Sequence, residues 1–244
     1  MNSISPNLNI MIKACEKASK SLIRDFGEIE NLQVSMKGPS DFVTNADKKV
    51  ETILINELSK KKYSIITEET GKIINEKKDV FWVIDPIDGT TNFLHGIPHF
   101  CISLALLKKD TIVSAVIFDP IKNEIFYAEK ESGAYFNNQR IRVSKKNDLS
   151  ECLFGSNLDG AKNLELNLRI SGSAALDLAY VASGRLDGYF QKNLNIWDIA
   201  AGMLIVSEAG GVVNSIDIER IKNHTIIASS EIISSDLGKF IKNF

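Results

Sequence analysis

Between His99 and Val143 the chain alternates short β-type runs with turn-forming separators. The runs are Phe100–Leu107, Ile112–Phe118, Glu124–Glu129 and Ala134–Val143; the separators are Lys-Lys-Asp, Asp-Pro-Ile-Lys-Asn and Glu-Ser-Gly. Connections this short join antiparallel neighbours, so the segment predicts a β-meander whose apolar faces the rest of the chain must cover. Helical patterns lie on both sides of it. Residues 8–27 place Leu8, Ile12, Ala14, Cys15, Ala18, Leu22, Ile23 and Phe26 on one stripe, with an end near Gly27. The turn-rich segment Met36–Asp47 opens a second helix, with Thr44 as the expected N-cap, Asp47 three residues on, and Val50, Ile53, Leu54 and Leu58 as the stripe.

After Val143 periodicity is lost until Arg169. Ala174–Ala182 then reads as a helix ended by Gly184, followed by a strand at Leu186–Phe190. The run Ile199–Ala209 is an almost wholly apolar helix stopped by Gly210-Gly211, buried between layers, with Asp198 as its expected N-cap. Strands at Val212–Ile216 and Thr225–Ser229 precede a last helix over 231–244. No internal repeat is evident.

With 244 residues the chain can bury a sizeable core as one large domain or two intimate halves. A net charge of −2 and the lack of a long lysine-arginine block give no support for direct nucleic-acid binding. The cysteines, Cys15, Cys101 and Cys152, are far apart, odd in number and without zinc-type spacing, which fits a reducing compartment. No apolar run approaches membrane length and the N-terminus lacks a signal-type apolar core. The expectation is a cytoplasmic protein with no membrane partner.

The apolar run Val80–Ile84 reads as a buried strand that stops at Asp85-Pro86, with a second carboxylate at Asp88 and then Gly89, Thr90 and Thr91. Such a strand end can hold hard cations and offer N–H groups to an anion. Asp-Pro and Asp-Gly are also ordinary turn signals, so the residues alone leave both readings open. The same ambiguity attaches to other carboxylates. Asp41 could be a turn former, Asp47 a helix cap, and Glu68-Glu69, at the end of the short strand Tyr63–Thr67, a solvated pair before a charged linker over 71–79. Gly89–Phe93 and Gly172-Ser173 each open a helix whose N-terminal N–H groups could face an anion. Gly96 and Pro98 between His95 and His99 exclude a zinc-binding helix face.

Four blocks in this order change the weighing: Asp41-Phe-Val-Thr-Asn-Ala-Asp47, Glu68-Glu69, Trp82-Val-Ile-Asp-Pro-Ile-Asp-Gly-Thr-Thr-Asn-Phe93, and Trp197-Asp-Ile-Ala-Ala-Gly202 with Glu208-Ala-Gly-Gly211. On them the chain resembles the inositol monophosphatase family, in its bacterial branch, over nearly its whole length. The resemblance implies an α+β fold of alternating α/β/α/β/α layers. It implies one domain over 1–244, its N-terminal half (about 1–145) carrying the metal site and its C-terminal half (about 146–244) the substrate side. It implies a magnesium-dependent phosphomonoesterase with two to three Mg2+ per site, active on an inositol or related polyol phosphate, homodimeric and lithium-sensitive.

Carried over by position, Glu68, Asp85, the Ile87 carbonyl, Asp88 and Asp198 are the expected metal ligands. Thr90, partnered by Asp47, is expected to activate water, with Glu68 also in the catalytic set and Lys37 near the water network. Asp88, Gly89, Thr90, Ser173, Ala174, Gln191 and Asp198 are the expected substrate contacts. Hard magnesium prefers such oxygen ligands, and a bound metal supplies hydroxide near neutral pH. Gln191 departs from the family's glutamate, which weakens acceptance from ring hydroxyls and leaves the inositol preference open. The stretch from Ser150 to Arg169 is also shorter than in typical relatives. Relatives of like architecture act on fructose 1,6-bisphosphate, histidinol phosphate, NADP or 3′-phosphoadenosine 5′-phosphate. The branch also includes the extragenic suppressor protein, which implies a possible partner in the transcription machinery.

Overall fold

The computed structural model describes residues 4–28, 39–157 and 166–241, with the backbone alone for 39–44. Lys37 lies outside these residues, as do residues 158–165 of the short stretch after Ser150. Two helices come first, α1 (Pro6–Gly27) and α2 (Pro39–Leu58). Ser5 starts α1 by accepting from the Leu8 N–H at 3.2 Å, with Pro6 at the first helical position. β1 (Tyr63–Thr67), β2 (Gly71–Ile73) and β3 (Lys77–Asp88) lead to the single-turn helix α3 (Thr90–Leu94). The meander is β4 (Cys101–Lys108), β5 (Thr111–Asp119), β6 (Glu124–Glu129), β7 (Gly133–Phe136) and β8 (Gln139–Arg140). There follow β9 (Leu153–Gly155), β10 (Asn167–Arg169), α4 (Ala174–Ala182) and β11 (Gly188–Leu194). The described chain ends with α5 (Ile196–Glu208), β12 (Gly211–Val213), β13 (His224–Ser230) and α6 (Glu231–Ile241).

The strands form two sheets, in the orders β2-β1-β3-β4-β5-β6-β7-β8 and β10-β9-β11-β13-β12. Period-two alternation sorts the first sheet's side chains between two cores. Ile65, Trp82, Ile84, Ile102, Leu104 and Leu106 meet Met11, Leu22, Val50 and Leu54 of α1 and α2. Val83, Ala105, Leu107, Ala115 and Ile117 meet α4 and α5, whose other side reaches Tyr189, Ile226 and Ala228 of the second sheet. The far face of that sheet buries Phe154 and Phe190 against Ile233, Leu237 and Ile241 of α6. The result is the expected α/β/α/β/α layering. The middle helices are apolar all round because both of their sides face a sheet. Gly202 of α5 sits so close to α4 that a Cβ there would lie 2.4 Å from the Leu178 Cβ.

Several local expectations need correction. The run 134–143 is two strands, because Asn137 and Asn138 adopt φ of 44° and 67° and close a tight hairpin between β7 and β8. Part of the linker 71–79 is structured: β2 pairs with β1, and β3 starts at Lys77. Thr44 is no N-cap, since α2 already runs from Pro39, and Asp47 is therefore interior to the helix. Asp198 is the third residue of α5, whose N-cap is Asn195. The aperiodic stretch after Val143 contains β9 and β10, each of three residues and too short to show a period.

Candidate active site

β3 pairs with β4 from Val80↔Lys108 to Asp85↔Ser103, and pairing resumes at Asp88↔Cys101. Three steps along β3 thus match two along β4, which is a β-bulge at Pro86-Ile87. Pro86 has no N–H to lose from the ladder, so the irregularity suits it. In an unbroken strand, residues three apart face opposite ways. The inserted residue instead leaves Asp88 on the side of Asp85 and Val83, toward α4 and α5, while Ile84 and Ile87 pack toward α1 and α2. Gly89 then turns the chain into α3 with φ 99°, and a Cβ there would lie 3.0 Å from the His99 carbonyl oxygen.

Asp85, Asp88 and Asp198 are each anchored by backbone donors. Asp85, 1% exposed, accepts from the Ile87 N–H at 3.0 Å. Asp88 accepts from the Ser173 hydroxyl at 2.5 Å, the Ala175 N–H at 2.7 Å and the Ala174 N–H at 3.3 Å. The N-terminus of α4, expected to face an outside anion, is therefore filled by the protein's own carboxylate, and its donors are already engaged. Asp198 accepts from the Asn195 N–H at 2.7 Å, one half of a capping box at the start of α5. Glu68 stands on the turn after β1.

Glu68, Asp88, Ser173, Ala174, Gln191 and Asp198 share the wall of one cavity of about 240 Å3. Asp85 and Ile87, in the bulge next to Asp88, do not line this cavity, nor do Gly89, Thr90 and Asp47. The expected hydrogen bond between Thr90 and Asp47 is not made. The single hydroxyl proton of Thr90 goes to the Ile87 carbonyl at 2.8 Å, while Asp47, 3% exposed, keeps one buried oxygen without a partner.

The carboxyl groups hold protons more tightly than free ones. Burial raises Asp198 to about 7, with the Asp88 charge adding to it. Burial followed by the charges of Glu69 and Asp88 raises Glu68 to about 7, although the residue's outer surface is exposed on its turn. Burial, then Glu69 and Glu68, raises Asp47 to about 8. Asp85 is pushed well up by burial and by Asp88, Glu68 and Asp198. Asp88 rises through burial, against the lowering by its donors. Like charges gathered in a poorly solvated place favour a bound cation as well as protons. The donors are oxygens, which suits a hard divalent cation better than zinc. Among the described residues no three such side chains are drawn into a ready-made cage, so the arrangement is an open acidic pocket.

Three contributors escaped the sequence reading. Asp177 lines the cavity, and its carboxyl is raised to about 7 by burial, partly offset by a hydrogen bond to Ser171. Its signal was a lone acid in an otherwise apolar helix. Tyr189 donates to Gln191 Oε1 at 2.5 Å, committing the amide's acceptor and leaving its NH2 for the cavity. Glu51, 2% exposed on α2, accepts from Thr67 and from the turn that carries Glu68; only its spacing of four from Asp47 hinted at a shared face.

The sequence profile of the inositol monophosphatase family matches residues 4–242. An inositol-1-monophosphatase of Mesorhizobium japonicum is 43% identical over 96% of this chain and 96% of that protein. The Nus factor SuhB of Escherichia coli is 42% identical over 86% of this chain and 85% of that protein. The crystal structure of the extragenic suppressor protein suhB from Bartonella henselae superposes with a TM-score of 0.87 at 41% identity, covering 98% of this chain and all of that one.

Proposed function

This chain belongs to the inositol monophosphatase family and is a phosphomonoesterase; from that premise we propose that it hydrolyses the monophosphate of an uncharged polyol with magnesium bound at the acidic pocket. The observation that carries the reading is the bulge at Pro86-Ile87, which turns Asp85 and Asp88 toward the same side as Asp198. Glu68, Asp85, the Ile87 carbonyl, Asp88 and Asp198 are the residues that would hold the ion. When bound, magnesium offsets the charge of the phosphate and makes hydroxide available near neutral pH. Two to three ions and a homodimer are part of the proposal, as is the single functional unit over 1–244.

The chain's own groups do the rest. Thr90 spends its proton on the Ile87 carbonyl, so its oxygen is free to accept a hydrogen bond from the attacking water and hold it. That water forms the new P–O bond, the ester P–O bond breaks, and the leaving oxygen takes a proton from solvent to give the alcohol. Asp47, whose buried carboxyl keeps one oxygen without a partner, is the group assigned to take the proton the water loses. The N–H groups of Gly89 and Thr90, at the start of α3, are the donors assigned to the phosphate, while Asp88 keeps its place against α4.

Away from the carboxylates the cavity wall carries Ser156, Asn157, Ser171, Gln191 and Asn195, and among the described residues it has no lysine, arginine or histidine. The hydroxyls and amides of this wall suit the hydroxyl groups of a polyol monophosphate, and fructose 1,6-bisphosphate, NADP, 3′-phosphoadenosine 5′-phosphate and histidinol phosphate are the comparison substrates. Gln191 presents a donor where a glutamate would accept, so a broad polyol range is expected in place of a strict inositol preference. A phosphate-release panel with magnesium titrated tests this. Polyol monophosphates should lead, and Gln191→Glu should raise the relative rate on myo-inositol 1-phosphate. Faster turnover of bisphosphates or nucleotides would overturn the substrate assignment, and turnover indifferent to magnesium would overturn the metal assignment.

The relatives named Nus factor SuhB support a second reading, a binding role in the transcription machinery. Complementation of a deletion strain by Asp88→Asn protein separates the two. Rescue favours the binding role, and failure by folded protein favours catalysis.

A further inference from the structure

Glu51 follows Asp47 by one helical turn on α2, so the two carboxylates share a face. Its own carboxylate is turned to the loop that closes the β1–β2 hairpin. Oε2 accepts from the Thr67 hydroxyl at 2.7 Å and the Glu69 N–H at 3.0 Å. Oε1 accepts from the Thr70 N–H at 3.2 Å and from the Thr70 hydroxyl. These four donors come from residues on both sides of Glu68, and no lysine or arginine is among them. A carboxylate has acceptor sites for four donors at once; a glutamine at the same place would turn two donors of its own toward Thr70 or toward Thr67 and Glu69.

We propose that Glu51 is a positioning residue for the metal site: it clamps the turn Glu68–Thr70 from beneath and so sets where the Glu68 carboxylate stands relative to Asp85 and Asp88. The β1–β2 ladder alone does not do this. Its pairing runs from Ile65↔Ile73 to Thr67↔Gly71 and leaves residues 68–70 as an unpaired three-residue turn. Without the clamp that turn is free to re-aim Glu68, whose carboxyl reaches the cavity from an otherwise exposed residue. An outer partner that orients a metal ligand typically matters about 10–100-fold in metal affinity. This role rests on Glu68 being a metal ligand, as proposed above.

The test is magnesium affinity measured by titration calorimetry on the purified full chain, beside the magnesium dependence of phosphate release. Glu51→Gln should weaken binding about tenfold or more and raise half-saturating magnesium by the same factor, with kcat at saturating magnesium changed far less. Thr70→Val, at an exposed position that should not disturb folding, removes one of the four donors and should weaken binding in the same direction by a smaller factor. It decides the matter if Glu51→Gln fails to fold. A purely structural Glu51 would lower Tm equally with and without magnesium and leave both affinities unmoved, and that result overturns the proposal. Glu68→Gln is the internal standard. If it leaves magnesium binding unchanged, the ligand assignment itself has failed. If it weakens binding while Glu51→Gln and Thr70→Val do not, only the positioning role has failed.

Discussion

Asp88→Asn separates what Asp88 does for the fold from what it does for the reaction. In the fold, one oxygen takes the Ser173 hydroxyl and the Ala175 N–H, while the other takes the longer bond from the Ala174 N–H. An asparagine with its carbonyl toward Ser173 keeps the two short bonds and turns its NH2 toward Ala174, setting donor against donor. The loss is one long hydrogen bond plus an unpaired N–H, about 1–3 kcal/mol. Against it stands the removal of a buried charge. Asp88 is held above the usual carboxylate range by burial, and its charge raises Glu68, Asp85 and Asp198 in turn. Relief of that repulsion offsets a loss of this size, so urea denaturation in EDTA at pH 8 should give a stability within about 1–2 kcal/mol of wild type. Turnover should nevertheless fall at least about a hundredfold, because a neutral amide is a poor magnesium ligand and the charge facing the cavity is gone. Phosphate release and denaturation on the same preparation decide it. Activity within tenfold of wild type would refute the metal role. A variant that is inactive because it is unfolded would refute the offset between the lost hydrogen bond and the relieved repulsion.

Asp177 supplies a pH test with a definite sign. Its carboxyl, about 3.8 when unfolded and about 7 when folded, leaves a penalty for ionisation that is absent below pH 4, grows as pH rises and is complete above pH 7. At full size it is up to about 4 kcal/mol. Asp177→Asn should therefore be the more stable protein at pH 8, with less than half of that gain left at pH 5 and almost none below pH 4, by denaturation in EDTA; no gain at pH 8 would sink the reasoning. Gly202→Ala puts a methyl group against the Leu178 Cβ and should destabilise by about 1–3 kcal/mol through forced separation of α4 and α5, read as a lowered Tm. Thr90→Ala loses one hydrogen bond to the Ile87 carbonyl and should lower stability by only about 1 kcal/mol, while lowering kcat far more than it alters KM, since toward the reaction the hydroxyl is asked to hold only the attacking water.

The layers were legible because each strand and helix buries a face whose period shows in a short window. Val80–Ile84, the first three meander runs and the stripes ended by Gly27 and Gly210 all report a local pattern, and the structure keeps them within a few residues. Where the window fails, the deciding partner is elsewhere in the chain. β9 and β10 exist because they pair with each other and β9 pairs in turn with β11. The bulge at Pro86-Ile87 is visible only in the register between β3 and β4, since no local signal says that three residues will be matched by two. The Asn137-Asn138 turn is different: two residues tolerant of positive φ sat inside a presumed strand, and that chemistry was there to be read.

The site resisted local reading for a deeper reason. For several carboxylates the ordinary structural role and the functional one looked like alternatives, yet a helix N-terminus is a place where both can be met. Its unpaired N–H groups stabilise a carboxylate that would otherwise be too costly to bury, and they use one or two of its lone pairs while leaving the others for the cavity. Asp198 reaches back to the Asn195 N–H and still lines the pocket; Asp88 secures the start of α4 and does the same. Capping is thus the means by which these acids are kept in place, charged and close together, against the repulsion that raises their pKa values. Asp47 and Glu51 serve the same acidic group without any cap, from the interior of α2, where neither motif nor period separates a buried acid from a solvated one. What sets them apart is one partnerless oxygen on Asp47 and four donors around Glu51, and those donors come from the end of β1 and the turn after it, some twenty residues along the chain.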